Sequence, residues 1–322
     1  MLRLLLFRSL AALACRLPLQ LCYHLAELAG SLLAFLPSTR RDAVRANLAV
    51  VYATSTDDRR VRRDARRVLR HALLNWVDLF RLGQRDTVRM IQRIHVPTLQ
   101  PLDEALALGK GAILISAHLG NFDTVMQKLA LRGDKVLIPV EPINPPTLLA
   151  FVRKQRSALG TAIEPIGPDT FRRLTAHLRA GGVVIIVSDR DVQGTGQPVT
   201  LFGRRITLPN AAILLALRTG APVLGAFGCR HTDNRISARL TPGPLAAPAG
   251  DASGRRSLRA DLEAGMQAWA TMLEEEIRRD PGQWVVLQPA FTAAPKVDAR
   301  APVGVDQARS TPPVAVLQGS RE

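Results

Sequence analysis

The sequence holds three cysteines, Cys15, Cys22 and Cys229, with no CxxC pair and no cysteine–histidine cluster at zinc spacing. That argues against a disulfide framework and a structural zinc site, and it suits a reducing compartment. Aromatic residues make up only 4% of the chain. They are too few for base-stacking platforms and no nucleic-acid-binding motif occurs, so no nucleic acid partner is expected. Clean apolar runs are missing as well. In the leucine- and alanine-rich stretch 1–36, Arg8, Arg16, Pro18, His24 and Glu27 interrupt every window that would otherwise span a bilayer, where a crossing helix needs about 20 predominantly apolar residues. Broken helices lying in or on a membrane interface are therefore expected, with a single span as the alternative and a buried helix of a soluble core as the third reading. Arg8 inside the would-be apolar region also argues against a cleaved signal peptide. The glycines fit neither a Walker nor a dinucleotide-binding spacing. Six histidines are scattered through the chain, and no metal centre is expected.

Acidic residues are scarce relative to basic ones: 27 Asp and Glu against 43 Lys and Arg, a net charge of +16. Such a balance attracts anionic surfaces, whether phospholipid headgroups, an acidic carrier protein or nucleic acid, and charge alone does not choose among them. The basic residues concentrate in Arg59, Arg60, Arg62, Arg63, Arg66, Arg67 and Arg70, on a helix that Thr56 or Asp57 can cap and that turns apolar toward Leu82. Beside an apolar N-terminus this arginine face is a candidate for anionic lipid or an acidic acyl carrier, and a solvated face is the alternative.

From residue 98 helical and strand patterns alternate. Helices are expected near 99–108, to about 132, 146–159, 168–180 and 210–218, and strands at 112–117, 135–140, 162–164, 183–188, 222–229 and 235–241. Residues 194–208 read as a hairpin or lid. The fold class is therefore α/β, a mixed but mostly parallel central sheet flanked by helices, preceded by an N-terminal membrane-associated helical segment. The division is 1–36 membrane-associated helices, 37–292 α/β domain and 293–322 disordered tail, with a Pro/Ala/Gly linker near 242–254 before a helix at 257–279.

In such sheets ligands bind outside the carboxyl ends of the strands. His118 follows the buried run Ala112–Ala117, and Asp189, Arg190 and Asp191 follow the apolar strand that ends near Val187. Asn121 is a good helix N-cap and Asp123 falls in the first turn after it. On one continuous helix residues five apart point away from each other. Gly120 supplies a break that lets His118 and Asp123 face each other. An imidazole held by a carboxylate is a general base, and its natural use here is to deprotonate a substrate hydroxyl.

The order of motifs resembles the bacterial lysophospholipid acyltransferase-like family of late lipid A (lauroyl and myristoyl) acyltransferases and phosphatidylinositol mannoside acyltransferases. The resemblance rests on His118-Leu-Gly-Asn-Phe-Asp123, Arg156 in Arg-Ser-Ala-Leu-Gly160, Ser188-Asp-Arg-Asp191, Leu201-Phe-Gly203, Leu208-Pro209 leading to Leu217-Arg-Thr-Gly-Ala-Pro222, and Pro281-Gly-Gln-Trp284 through Pro289. It implies a membrane-associated O-acyltransferase of the HX4D type that moves a fatty acyl chain from acyl-CoA or acyl carrier protein, with no other cofactor, to a hydroxyl of a membrane glycolipid. His118 becomes the base and Asp123 its orienting carboxylate, while Arg156, Asp189, Arg190, Asp191, Gly120 and Asn121 serve substrate binding. Trp284 reads as packing. The implied location is the cytoplasmic face of the inner membrane, peripheral or with one N-terminal helix inserted. Lipid A enzymes commonly carry glutamate where this chain has Asp123, and the ending Gln-Trp-Val-Val-Leu-Gln-Pro is closer to the mannoside branch. A non-catalytic anionic-lipid-binding protein and a lipid or thioester hydrolase using the same histidine are the competing readings.

Overall fold

The computed structural model describes residues 2–84, 86–142, 145–245 and 257–291. The chain opens with four helices, α1 (Leu2–Arg16), α2 (Leu19–Leu33), α3 (Thr39–Val51) and α4 (Arg59–Arg81), then α5 (Thr87–Gln92) and α6 (Gln100–Ala107). The alternating part follows: β1 (Ala112–Ser116), α7 (Phe122–Arg132), β2 (Val136–Val140), α8 (Pro146–Arg156), β3 (Ala162–Pro165), α9 (Thr170–Arg179) and β4 (Val183–Val187). A hairpin of β5 (Gln197–Leu201) and β6 (Arg204–Leu208) leads into α10 (Ala211–Thr219), β7 (Val223–Arg230), β8 (Ile236–Pro242) and α11 (Leu258–Arg279). A short 3₁₀ turn at Pro281–Gln283 follows α11.

The main sheet has the order β3-β2-β4-β1-β7-β8. Its first five strands run parallel and β8 pairs antiparallel to β7 at the edge. The apolar runs of β1 and β4 are continuous because both sheet faces are covered. Ile113, Ile115, Val184 and Ile186 pack on one face beneath α9, α10 and α11, and Leu114 and Ile185 pack on the other beneath α6 and α7. Each such side chain contributes about 1.5–3 kcal/mol when fully buried. The connection out of β1 runs through α7 over one face to β2. The connection out of β4 runs through the hairpin and α10 over the opposite face to β7. Neighbouring strands thus send their connections in opposite directions, which opens a crevice at their carboxyl ends.

Pro18, which has no N–H to give a helix, separates α1 from α2. The inward side of α2, with Cys22, Tyr23 and Ala26, is buried and packs on α4. Its outward side carries Leu21, Leu25, Leu28 and Leu32 at helical spacing, all exposed, followed by exposed Phe35 and Leu36. Among the described residues no helix is long and apolar enough to cross a membrane, so an N-terminal membrane span is not supported. The arginine-rich half of α4 is only partly a free solvated face. Arg63 and Arg67 pair with Asp64, Arg67 also with Asp280, and Arg70 with Glu27. The cap of α4 is Asp58, whose side chain accepts from the Arg60 N–H, one residue later than the sequence pattern places it. Part of the expected linker, and the tail from 293, lie outside the described residues.

The helical layer is tied to the sheet by a buried carboxylate. Asp78 of α4 accepts from Tyr23 Oη at 2.5 Å, from Asn121 Nδ2 at 2.5 Å and from the guanidinium of Arg230 at the end of β7. Burial, followed by the Asp78 charge, pushes the Tyr23 hydroxyl well above its ordinary pKa, so it stays a donor. Removing one partner of a buried ion pair leaves an uncompensated charge. Asp78→Ala should therefore destabilise the protein by about 3–5 kcal/mol in urea unfolding, strongly enough to lower the yield of folded protein.

Candidate active site

The parallel register of β1 and β4 pairs Ser116 with Val187. Two residues further along each strand the same register brings His118 beside Asp189. The His118 ring Nδ1 lies 2.6 Å from Asp189 Oδ1, and the His118 backbone N–H donates to Oδ2 at 3.0 Å. A third donor comes from Trp284, whose indole Nε1 reaches Oδ2 at 2.9 Å. Asp189 has a fully buried side chain. Burial alone would raise its pKa, but the His118 charge, the two His118 hydrogen bonds and the Trp284 N–H outweigh it and hold the carboxyl below its ordinary value. An ionised carboxylate only accepts, so His118 Nδ1 carries a proton and Nε2 is left as the basic nitrogen of the neutral ring.

The ring is fixed from its other side by Phe122, which meets it edge-on with centroids 4.7 Å apart. Both residues line a cleft of about 370 Å³ at the carboxyl ends of β2, β4 and β1, a volume in the range of ligand pockets, roughly 300–1,000 Å³. Its wall is mainly apolar, with Met126, Ile138, Val140, Phe171 and Leu174 among the lining residues.

Asp123 does not pair with His118. Its carboxylate is held by Arg156 of α8, with Nε 2.7 Å from Oδ1 and Nη2 donating to Oδ2 at 2.9 Å. The expectation that Gly120 turns Asp123 toward the imidazole is thus corrected. The break exists, with φ of +56° at Gly120, but it carries the chain into α7 with Asp123 on the side that meets α8. Gly120 is needed there for a second reason: a Cβ would stand 2.6 Å from the Gly228 carbonyl oxygen of β7. The Asp123–Arg156 pair still faces the cleft beside His118.

The remaining expected residues divide into two kinds. Arg190 lines the cleft and bridges Glu141 at the end of β2 (2.8 Å) and Gln288 (3.0 Å). Asp191 also lines it, but its carboxylate closes its own loop by accepting from the Gly194 and Gly196 N–H groups at 2.9 and 2.8 Å. Asn121 is fully buried and caps α7 by accepting from the Thr124 N–H while donating to Asp78. It shapes the turn and does not line the cleft. Among the described residues no group of three or more His, Cys, Asp or Glu side chains is placed to hold a metal ion.

Sequence patterns missed Trp284 as a part of the site. The turn Pro281–Gln283 and the residues after it run along the His118 turn: the Gly120 N–H donates to Gln283 O at 3.0 Å and the Val285 N–H to His118 O at 2.7 Å, with an antiparallel bridge between Leu119 and Trp284. The signal available was the Pro-Gly-Gln-Trp motif itself, whose tryptophan meets Asp189, 95 residues upstream, only once the chain is folded.

The site is a half-buried histidine held by a buried aspartate at a switch point of a mostly parallel sheet, opening on a mainly apolar cleft of an α/β protein. The comparisons make the class specific. The family model described as bacterial lipid A biosynthesis acyltransferase matches residues 3–293, and the chain belongs to that family of acyltransferases. It is also similar to the phosphatidylinositol mannoside acyltransferase of Mycobacterium tuberculosis (strain ATCC 25618 / H37Rv), 30% identical over 224 residues that cover 68% of this chain and 67% of the relative. The protein of the same name from Mycolicibacterium smegmatis is 27% identical over 232 residues, 71% of this chain and 72% of the relative.

The depressed pKa of Asp189 sets a pH dependence of stability. A carboxyl whose folded pKa lies below its unfolded value of about 3.9 contributes stability that is fully present above that value and lost as the pH falls through the lower folded one. The stability gap between wild type and Asp189→Asn should therefore shrink as the pH falls below about 4, as measured by urea unfolding at each pH.

Proposed function

We propose that this acyltransferase moves a fatty acyl chain from an acyl thioester, acyl-CoA or acyl carrier protein, to a hydroxyl of a membrane glycolipid of the phosphatidylinositol mannoside kind, with His118 as general base. The observation that carries this reading is the His118–Asp189 pair at the mouth of an apolar cleft, in a chain of this family. The acceptor preference is supported by the two mycobacterial relatives, which are phosphatidylinositol mannoside acyltransferases.

A thioester is already activated, so the protein has to position the acceptor, take its proton and favour the developing oxyanion. Nε2 of His118 removes the proton from the acceptor hydroxyl as its oxygen attacks the thioester carbonyl. A C–O bond forms, the C–S bond breaks, and the imidazolium returns the proton to the departing thiolate. Asp189 holds the ring in the required tautomer and stabilises the imidazolium. The first turn of α7, capped by Asn121, puts the positive end of the helix dipole close to His118, a suitable environment for the oxyanion. The apolar wall accommodates the acyl chain, where each methylene taken from water adds about 0.8 kcal/mol of binding. Asp123 with Arg156, and Arg190 with Glu141, offer paired donors and acceptors for the acceptor's hydroxyls and phosphate. Asp191 supports the cleft by holding the 191–196 loop.

The exposed leucine stripe of α2 with Phe35 and Leu36 supports docking on an anionic phospholipid surface, with the exposed arginines of the first half of α4 alongside. On this reading residues 1–36 are a peripheral membrane-associated segment, 37–292 form the acyltransferase domain, and the protein works on the cytoplasmic face of the inner membrane, where acyl thioesters are available.

With purified protein, long-chain acyl-CoA and mannosylated phosphatidylinositol, His118→Ala should lower kcat by about 10²–10⁴. Arg156→Ala should act mainly through the KM for the acceptor. Wild-type turnover by His118→Ala, or free fatty acid as the dominant product when acceptor is present, would overturn the assignment in favour of another site or a hydrolase.

A further inference from the structure

Asp189 cannot hold its geometry alone. Its two oxygens lie in a fully buried side chain, and Oδ2 is satisfied by the backbone N–H of His118 and the indole N–H of Trp284. Oδ1 is the atom that faces the ring Nδ1. If Oδ2 lost the indole, the carboxylate could turn to share its charge differently between the ring and the backbone of the same histidine. Trp284 is itself 2% exposed, is locked by the paired backbone of Leu119 and by the ring of Phe291 at 6.1 Å, and is absent from the cleft lining. It therefore acts on the dyad without touching substrate.

Resting on the acyl-transfer reading above, we propose that Trp284 is a positioning residue of the reaction: its indole N–H fixes the plane of the Asp189 carboxylate so that Oδ1 is presented to His118. The C-terminal Pro281–Trp284 motif thus orients the dyad, brought to the ends of β1 and β4 by the chain's return after α11. The neighbouring charged groups that also bear on His118 are Asp123 with Arg156 and Arg190 with Glu141, all on the cleft side, and these are unchanged by substitution of Trp284.

A built-in control exists. Trp269 of α11 is equally buried and its indole donates to the backbone carbonyl of Ser188 at 3.0 Å, one residue before Asp189. Trp269→Phe removes a similar hydrogen bond beside the same strand without altering the donors to the carboxylate. The experiment compares wild type, Trp284→Phe, Trp269→Phe and a protein in which benzothienylalanine, which has the indole's shape but no N–H, replaces Trp284. Each is assayed for acyl transfer from palmitoyl-CoA to mannosylated phosphatidylinositol across pH 5–9, with thermal melting as the check on folding.

The proposal expects both Trp284 replacements to lower kcat by about tenfold or more while leaving both KM values within about twofold, since an oriented base is worth on the order of 10²–10⁴ and one of three carboxylate donors is lost. It also expects the acid limb of the kcat/KM profile to move to higher pH by about half a unit or more, because a carboxylate with fewer donors favours the imidazolium more strongly. Trp269→Phe should leave that limb in place. Wild-type kcat and an unmoved limb in the benzothienylalanine protein would overturn the proposal even if Trp284→Phe failed to fold, and so would an equal shift in Trp269→Phe. Absence of acyl transfer by wild type would instead reject the functional reading on which the proposal rests.

Discussion

The structure around the cleft depends on keeping one charged carboxylate, Asp189, in a site that water does not reach. A buried carboxylate is costly unless hydrogen-bond donors surround it, and its three donors come from parts of the chain far apart in sequence. Two come from His118, which requires β4 to lie between β2 and β1 and so beside the strand that ends at His118. The third comes from Trp284, which requires the 22 residues of α11 to return the chain to the carboxyl ends of the strands. Sheet order, the long last helix and the Pro-Gly-Gln-Trp turn therefore serve a common end. The return is an oriented imidazole with a basic nitrogen facing an apolar cleft.

A second buried carboxylate does the same for the helical layer. Asp78 joins α2, α4, the turn after β1 and the end of β7 through Tyr23, Asn121 and Arg230. Asn75 adds a bond to the Gly120 carbonyl at 2.6 Å, and Gln283 accepts from the Arg230 backbone N–H at 2.7 Å. The turn that carries His118 is thereby clamped between the N-terminal helices and the C-terminal motif. α2, which presents exposed leucines outward, donates through Tyr23 to Asp78 of α4, and Asp78 in turn accepts from Asn121 of this turn, so the exposed apolar stripe and the His118 turn are joined by one buried network.

Most of the fold was legible in the sequence because the strands are short apolar runs bounded by glycine and the helices carry clear periodicity. Every strand of the main sheet falls within a residue or two of its expected span. His118 and Asp189 were legible as strand-end residues for the same reason. Their pairing was not, because local spacing favours a partner five residues away over one 71 residues away, and only the insertion of β4 between β2 and β1 decides between them. Asp123 misled on those grounds: a first-turn acid looks like a partner for the preceding histidine until Arg156 on α8 is seen to hold it. Tyr23, Asp78 and Arg230 gave no local signal, since a tyrosine, an aspartate and an arginine on three separate elements form a network only after packing.

Acyl transfer to a membrane glycolipid through His118, as proposed, has a direct readout in the membrane itself. Mass spectrometry of the source organism's membrane lipids, with the gene deleted and then restored as wild type or His118→Ala, addresses it most directly. The expected result is a glycolipid short of one acyl chain in the deletion, recovered by wild type and not by His118→Ala at equal protein level. An unchanged glycolipid profile in the deletion, or full recovery by His118→Ala, would contradict it.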